Sequence, residues 1–125
     1  MKASLNFLHH QGNDWLRELE FYKDELALLN NRLGNVTKSN TSQEVMAQVE
    51  HFQNKFILLR EQLDILKHDV SEELKNIEEL TKSKPEHTNE KSVESNDGML
   101  ERVKDFSSSI SNTRFEFNKF LAGVL

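Results

Sequence analysis

The sequence of 125 residues contains no cysteine, only one proline and only four glycines. Without cysteine it has no disulfide bond, no thiolate metal ligand and no thiol nucleophile, which fits the reducing cytoplasm. Few proline and glycine residues argue against a turn-rich all-β fold. No stretch approaches the ~18 apolar residues of a membrane span, and the first residues lack a signal-peptide pattern. We therefore expect a cytoplasmic protein with no membrane partner.

Apolar side chains are also scarce. Hydrophobic residues make up 36% of the chain and charged residues 30%, whereas globular domains average roughly 45–50% and about 25%. Long thin helices need fewer apolar residues than a compact α/β enzyme, because each helix buries only one stripe. The formal net charge of −5 argues against a nucleic-acid partner.

Apolar residues recur with alternating spacings of three and four in three segments. The first extends from Trp15 to Val36, the second from Val45 to Leu80 with a polar interruption at Glu73, and the third from Met99 to Val124. This heptad pattern predicts three amphipathic helices that share one core.

Helix-capping residues set the expected bounds of these helices. Asn13 is a capping residue before the first stripe, and Thr41 to Glu44 form a capping-box pattern before the second. The polar segment after the second stripe has the composition of a flexible loop. The sequence predicts helices at about 13–36, 42–82 and 97–124, with a loop at 83–96.

These elements predict one all-α domain over residues 1–125, an antiparallel up-down-up three-helix bundle that resembles a coiled coil with a long central helix. A tight turn after the first helix would bring Trp15 close to Leu63, and the return of the third helix along the second would bring Met99 close to Leu80. The far end of the second helix would then have only the third beside it. The aromatic residues would gather in the middle of the bundle, namely Trp15, Tyr22, Phe52, Phe56, Phe117 and Phe120.

A second set of apolar residues lies off the main stripes. Two pairs of them are spaced by seven, one pair on each helix, and Ile57 joins the second pair. These positions lie roughly 130° from the centre of the stripe, and an isolated bundle would leave them in water. They indicate either a wide core or a second packing face, most simply for a homodimer or for another helical protein. The residues are Phe21, Leu28, Ile57, Leu58 and Ile65.

Polar residues on the first two helices raise a second possibility. In the expected register, histidines and carboxylates of the two helices face each other, and such a set can bind Zn, Fe or Mn. The same residues are also ordinary surface ion-pair partners, so we expect no resident cofactor while a divalent metal stays possible. The candidate ligands are His10, Glu18, Glu61, Asp64 and His68.

No pattern of catalytic residues is evident. Glu18, Glu25 and Arg32 form a row beside the first stripe, which indicates either charges at the edge of a coiled coil or a carboxylate lining inside the bundle. The serines at 107–109 are not paired with a histidine, and the isolated glycines form no phosphate-binding loop. We therefore expect a protein that is not an enzyme.

The segments Trp15 to Leu26 and Val49 to Phe56 resemble uncharacterised small α-helical proteins of Bacteroidota. The resemblance covers the first two helices and neither the loop nor the third helix. It implies a cytoplasmic bacterial protein and carries no activity, cofactor or ligand. Together, the patterns predict a structural or protein-interaction helical module that self-associates, with metal binding as the alternative.

Overall fold

The computed structural model describes residues 4–83 and 90–125, and side chains within 4–82 and 92–125. It contains three long helices: α1 (Leu5–Ser39), α2 (Gln43–Ser83) and α3 (Glu90–Val124). They pack as the all-α, antiparallel up-down-up three-helix bundle that the sequence predicts, with α2 the longest at 41 residues.

The first helix begins eight residues earlier than predicted. The side chain of Ser4 caps it by accepting a hydrogen bond from the Phe7 N–H at 3.1 Å, so Asn13 is not the cap. Leu5 and Leu8 are buried and continue the heptad stripe, in which Gly12 is the next member. A glycine in an apolar position hid this continuation, because it broke the hydrophobic pattern.

The second helix has nearly the predicted bounds but a different cap. The hydroxyl of Ser42, rather than that of Thr41, accepts a hydrogen bond from the Val45 N–H at 3.3 Å. The Ser42 N–H is in turn held by the Asn40 side chain at 3.1 Å. This short connection reverses the chain between α1 and α2.

The predicted loop is wrong at residue 83, where α2 still continues, and at residues 90–96, because α3 begins at Glu90; residues 84–89 lie outside the described part. Asn96, which lies in the predicted loop, is instead buried inside α3. Asn96 lies three residues before Met99 and therefore occupies a core position of the same heptad. Its polarity concealed the first turns of α3.

Two interhelical contacts fix the register of α1 against α2. His9 approaches Glu78 at 3.3 Å, and Lys67 donates to Glu20 at 2.5 Å. Both pairs give the same antiparallel register, which is about nine residues from the predicted one. Because α1 continues to Ser39 and leaves in an extended conformation at Asn40, α2 starts beyond the end of α1. Trp15 is consequently not level with Leu63.

The register brings α1 beside the far end of α2. Leu5 and Leu8 pack with Ile77, and Leu80 lies against them. The prediction that only α3 lies beside the far end of α2 is therefore wrong, because the first turns of α1 cover this flank of α2. The polar interruption at Glu73 is bridged by Leu74, which is buried opposite Gly12.

The register of α3 also differs from the prediction. Ser95 donates to Glu73 at 2.7 Å, and Phe117 contacts Phe52 and Phe56 with ring centroids 5.2 Å apart in both pairs. Phe120 completes this cluster, which lies towards the beginning of α2 and the end of α3.

Trp15 and Tyr22 are not part of that aromatic cluster, so the predicted aromatic middle is wrong. Tyr22 packs instead on Phe106, with ring centroids 5.7 Å apart. The aromatic residues thus stabilise separate levels of the bundle.

Candidate interaction surface

The five residues of the predicted second face are exposed, with 47–60% of each side chain accessible. They do not form one surface. We name three faces of the bundle by the helices that border them. Phe21 and Leu28 lie on the α1–α3 face, Leu58 and Ile65 on the α2–α3 face, and Ile57 on the α1–α2 face.

The α1–α3 face is identified by the neighbours of its two apolar residues. Glu25 lies four residues after Phe21 and three before Leu28, so the three share one ridge of α1. Arg114 of α3 donates to Glu25 at 2.6 Å. The ridge therefore points towards α3.

The α2–α3 face is identified by a groove. Ile65 lines it together with Gln62 of its own helix and with Arg102 and Ser109 of α3. Leu58 lies seven residues before Ile65 and shares its stripe. Both exposed residues therefore border the seam between α2 and α3.

Ile57 lies about 100° around α2 from Leu58, because they are consecutive residues of a helix. Glu78 lies three heptads after Ile57 on the same stripe of α2, and it contacts His9 of α1. Ile57 therefore lies on the α1–α2 face. The sequence alone could not separate these faces, since the heptad repeat does not tell which neighbour lies on which side of a helix.

Two open grooves lie along the seam of the α2–α3 face among the residues that the structure describes. One, of about 320 Å³, lies at Ile65 and Ser109. The other, of about 850 Å³, lies where α2 begins and α3 ends, and apolar side chains form much of its lining. These are Val45, Ala47, Phe52, Phe120 and Val124. The face thus combines exposed apolar residues with concave apolar surface.

Charged residues border this face. Arg102 pairs with Asp69 across the seam at 2.8 Å. Glu44, His51, Glu116 and Lys119 line the larger groove. An apolar centre with charged borders is typical of protein–protein interfaces.

A polar network holds α1 to α3. The Tyr22 hydroxyl donates to Glu18 and meets the Ser107 hydroxyl, both at 2.7 Å. Burial raises the pKa of Tyr22 above its ordinary value, and the hydrogen bond to Ser107 opposes this shift. Glu18 and Glu25 therefore lie at the edge of the bundle on the side of α3, where they bind Tyr22 and Arg114. They do not form a carboxylate lining inside the bundle.

A second polar contact joins α1 to α2. The hydrogen bond from Lys67 lowers the pKa of the Glu20 carboxyl, and the nearby Lys23 charge adds to the effect. Glu20 and Lys67 thus form an ion pair on the outside of the bundle, where such pairs contribute little to stability.

The predicted metal ligands are not brought together. His68 lies about level with residue 19 in the register set by Glu20 and Lys67, so His10 is nine residues, or about 13 Å, further along the axis. Glu18 instead binds Tyr22, and Asp64 accepts from Arg60 at 3.1 Å. Within residues 4–83 and 90–125, no three His, Asp or Glu side chains form a group able to hold a metal ion.

The sequence missed several features of these surfaces. Phe7 and Phe115 are more than half exposed. Phe7 lies two heptads before Phe21 and therefore on the same stripe of α1. It is absent from the predicted second face because the predicted first helix begins only at about residue 13. The grooves depend on the register of α3, which the pattern leaves open by a heptad in either direction.

None of the helices described by the structure is long and apolar enough to cross a membrane. Comparisons with protein-family models, with curated proteins and with solved structures find no match to the chain. The three-helix bundle and its surfaces are therefore the basis for a functional assignment.

Proposed function

We propose that the protein is a non-enzymatic protein-interaction module that self-associates through its α2–α3 face. The observation that carries the proposal is the pair Leu58 and Ile65, two exposed apolar residues one heptad apart on a seam that also holds a groove lined largely by apolar side chains. Exposed apolar patches of this kind mark interaction sites. A second copy presents the same patch, so two identical faces are complementary in apolar character.

The α1–α3 face is a poorer candidate for self-association. Phe21 and Leu28 are comparably exposed, but Glu25 lies between them on the side that faces α3, where the pair Leu58 and Ile65 has the uncharged Gln62. A two-fold axis between Phe21 and Leu28 would bring the Glu25 carboxylates of the two copies close together. Such like-charge contacts oppose association.

Metal binding, the alternative suggested by the sequence, has no comparable support. Its five candidate ligands are spread along the bundle, and two of them are engaged by Tyr22 and Arg60. A cytoplasmic location in a bacterium stays a prediction from the sequence.

Matched double variants test the proposal. Leu58→Asp/Ile65→Asp places two charges on the α2–α3 face, and Phe21→Asp/Leu28→Asp places the same charges on the α1–α3 face. We expect both variants to keep their helical circular dichroism, because all four residues are exposed. Sedimentation velocity should show that only the first variant loses the dimer. If the dimer survives the first pair of changes and is lost with the second, the chain self-associates through its α1–α3 face and the proposal is wrong.

A further inference from the structure

We infer that the partner of the α2–α3 face is a second copy whose α2 runs antiparallel to the first, with the two-fold axis passing by Gln62 and Ser109. This inference rests on the proposed function and adds the geometry of the dimer. Gln62 and Ser109 line the same groove. They lie at the same level of the bundle, because each is seven residues from one member of the Asp69–Arg102 ion pair. One axis therefore crosses both helices at these residues.

The apolar residues of α2 support this position of the axis. An axis midway between Leu58 and Ile65 places Leu58 of each copy against Ile65 of the other. It also places His51 against Glu72, since both belong to the same stripe at equal distances from the axis. Apolar residues thus meet at the centre, and a histidine meets a carboxylate at each end.

The charges that flank this stripe are arranged in the same symmetric way. Lys55 and Asp69 lie seven residues before and after Gln62, and Arg102 and Glu116 lie seven residues before and after Ser109. The axis therefore brings Lys55 of one copy to Asp69 of the other, and Arg102 to Glu116.

Within one chain, Asp69 and Arg102 already form an ion pair at 2.8 Å. In the dimer, this pair would be flanked by Lys55 and Glu116 of the second copy. The result at each end of the interface is a row of four charges of alternating sign. Charge complementarity of this kind selects the orientation of two partners.

Ser109 adds a steric argument. It is the residue of α3 closest to the axis, and its small side chain permits close approach of the two α3 helices. On either side of it, Asp105 of one copy comes to lie over Asn112 of the other, a carboxylate over an amide.

The other two-fold arrangement of this face has its axis parallel to the helices, so that α2 of one copy lies over α3 of the other. At the levels set by the structure, Leu58 would face Asn112, Ile65 would face Asp105, and His51 would face Lys119. Apolar residues would be buried against polar ones without hydrogen-bond partners, which is unfavourable. The antiparallel α2 arrangement avoids these contacts.

Single-cysteine variants test the register, because the natural chain has no cysteine. Gln62 and Gln48 are both exposed and occupy the same stripe of α2, two heptads apart. In the inferred dimer, the two copies of residue 62 meet at the axis, whereas the two copies of residue 48 are about 42 Å apart along the direction of α2. A disulfide requires Cα atoms within about 7 Å.

We expect Gln62→Cys to form a disulfide-linked dimer under mild oxidation and Gln48→Cys to stay unlinked. Native mass spectrometry of both reduced variants reports whether the non-covalent dimer is present. A dimer that links through residue 48, or through neither residue, overturns the inferred register and leaves the proposed function standing. Reduced variants that are monomeric at all concentrations overturn both.

Charge reversal gives a second readout. Lys55→Glu places a carboxylate against Asp69 of the second copy at two symmetric contacts, and we expect the dimer dissociation constant to rise about tenfold. Lys104→Glu makes the same change in charge on the α1–α3 face and should leave the constant within about twofold. Equal effects of the two variants would contradict the specific pairing of Lys55.

Discussion

Gly12 on α1 lies directly against Leu74 on α2. A Cβ atom placed on Gly12 would come within 2.5 Å of Leu74 Cδ2 and 3.0 Å of its Cγ. The absence of a side chain on one helix therefore makes the room that a large side chain occupies on the other. This contact bridges the level at which Glu73 interrupts the apolar stripe of α2.

The close approach predicts the effect of adding a methyl group. Gly12→Ala should lower the free energy of unfolding by about 1–2 kcal/mol, because overpacking outweighs the gain in helix propensity. Urea unfolding followed by fluorescence of Trp15, the only tryptophan, measures this. Gly34→Ala is the matched control: it lies in the same helix with open space around it and should stabilise by about 0.5–1 kcal/mol.

The same contact predicts coupling between the two sites. Leu74→Ala alone should destabilise by about 2–4 kcal/mol, because it leaves a cavity. Combined with Gly12→Ala, the new methyl group partly fills that cavity, so the double variant should be more stable than the two single effects predict. Simple additivity of the two free-energy changes would contradict the contact.

Tyr22 is the only tyrosine in the chain, so an absorbance titration reports its ionisation alone. Burial raises its pKa, and we expect a midpoint above that of free tyrosine, which is about 10. The neutral hydroxyl stabilises the fold below the unfolded-state pKa. That stabilisation should be lost as the pH rises through the higher pKa of the folded state.

Tyr22→Phe provides the control for this titration. It removes the hydrogen bonds to Glu18 and Ser107, and should cost about 1–2 kcal/mol at neutral pH. It should also remove the tyrosine contribution to alkaline destabilisation. A Tyr22 midpoint at or below the ordinary value would contradict a buried hydroxyl.

Replacing Asn96 by an apolar residue is expected to stabilise the protein. Its side chain is buried, and its Nδ2 group has no hydrogen-bond partner among residues 4–82 and 92–125. Asn96→Leu should raise the free energy of unfolding by about 1–2 kcal/mol. Asn96→Asp keeps the size but buries a charge, and should be destabilising. Calorimetry of both variants separates the effect of polarity from that of side-chain volume.

The sequence was sufficient for the fold class because heptad stripes determine helices and their packing. It failed at the helix ends where polar or small residues occupy core positions. Gly12 and Asn96 each belong to a stripe, and each hid the turns before it. The register between helices depends on these helix ends and on the extended conformation at Asn40. Because the sequence predicts other ends, it predicts a different register, in which the candidate metal ligands face each other.

The exposed residues were identified correctly, but their grouping was not. Periodicity shows that Phe21 and Leu58 lie off the core stripe, yet it does not show that α3 lies on a particular side of α1. That depends on the handedness of the bundle, which tertiary contacts such as Glu25 with Arg114 determine.

The proposed function requires that the natural chain self-associates. The most direct test is sedimentation equilibrium of the untagged protein over a range of micromolar concentrations. We expect a reversible monomer–dimer equilibrium, with the mass rising to twice that of the chain as the concentration increases. A mass equal to one chain throughout the range would contradict it.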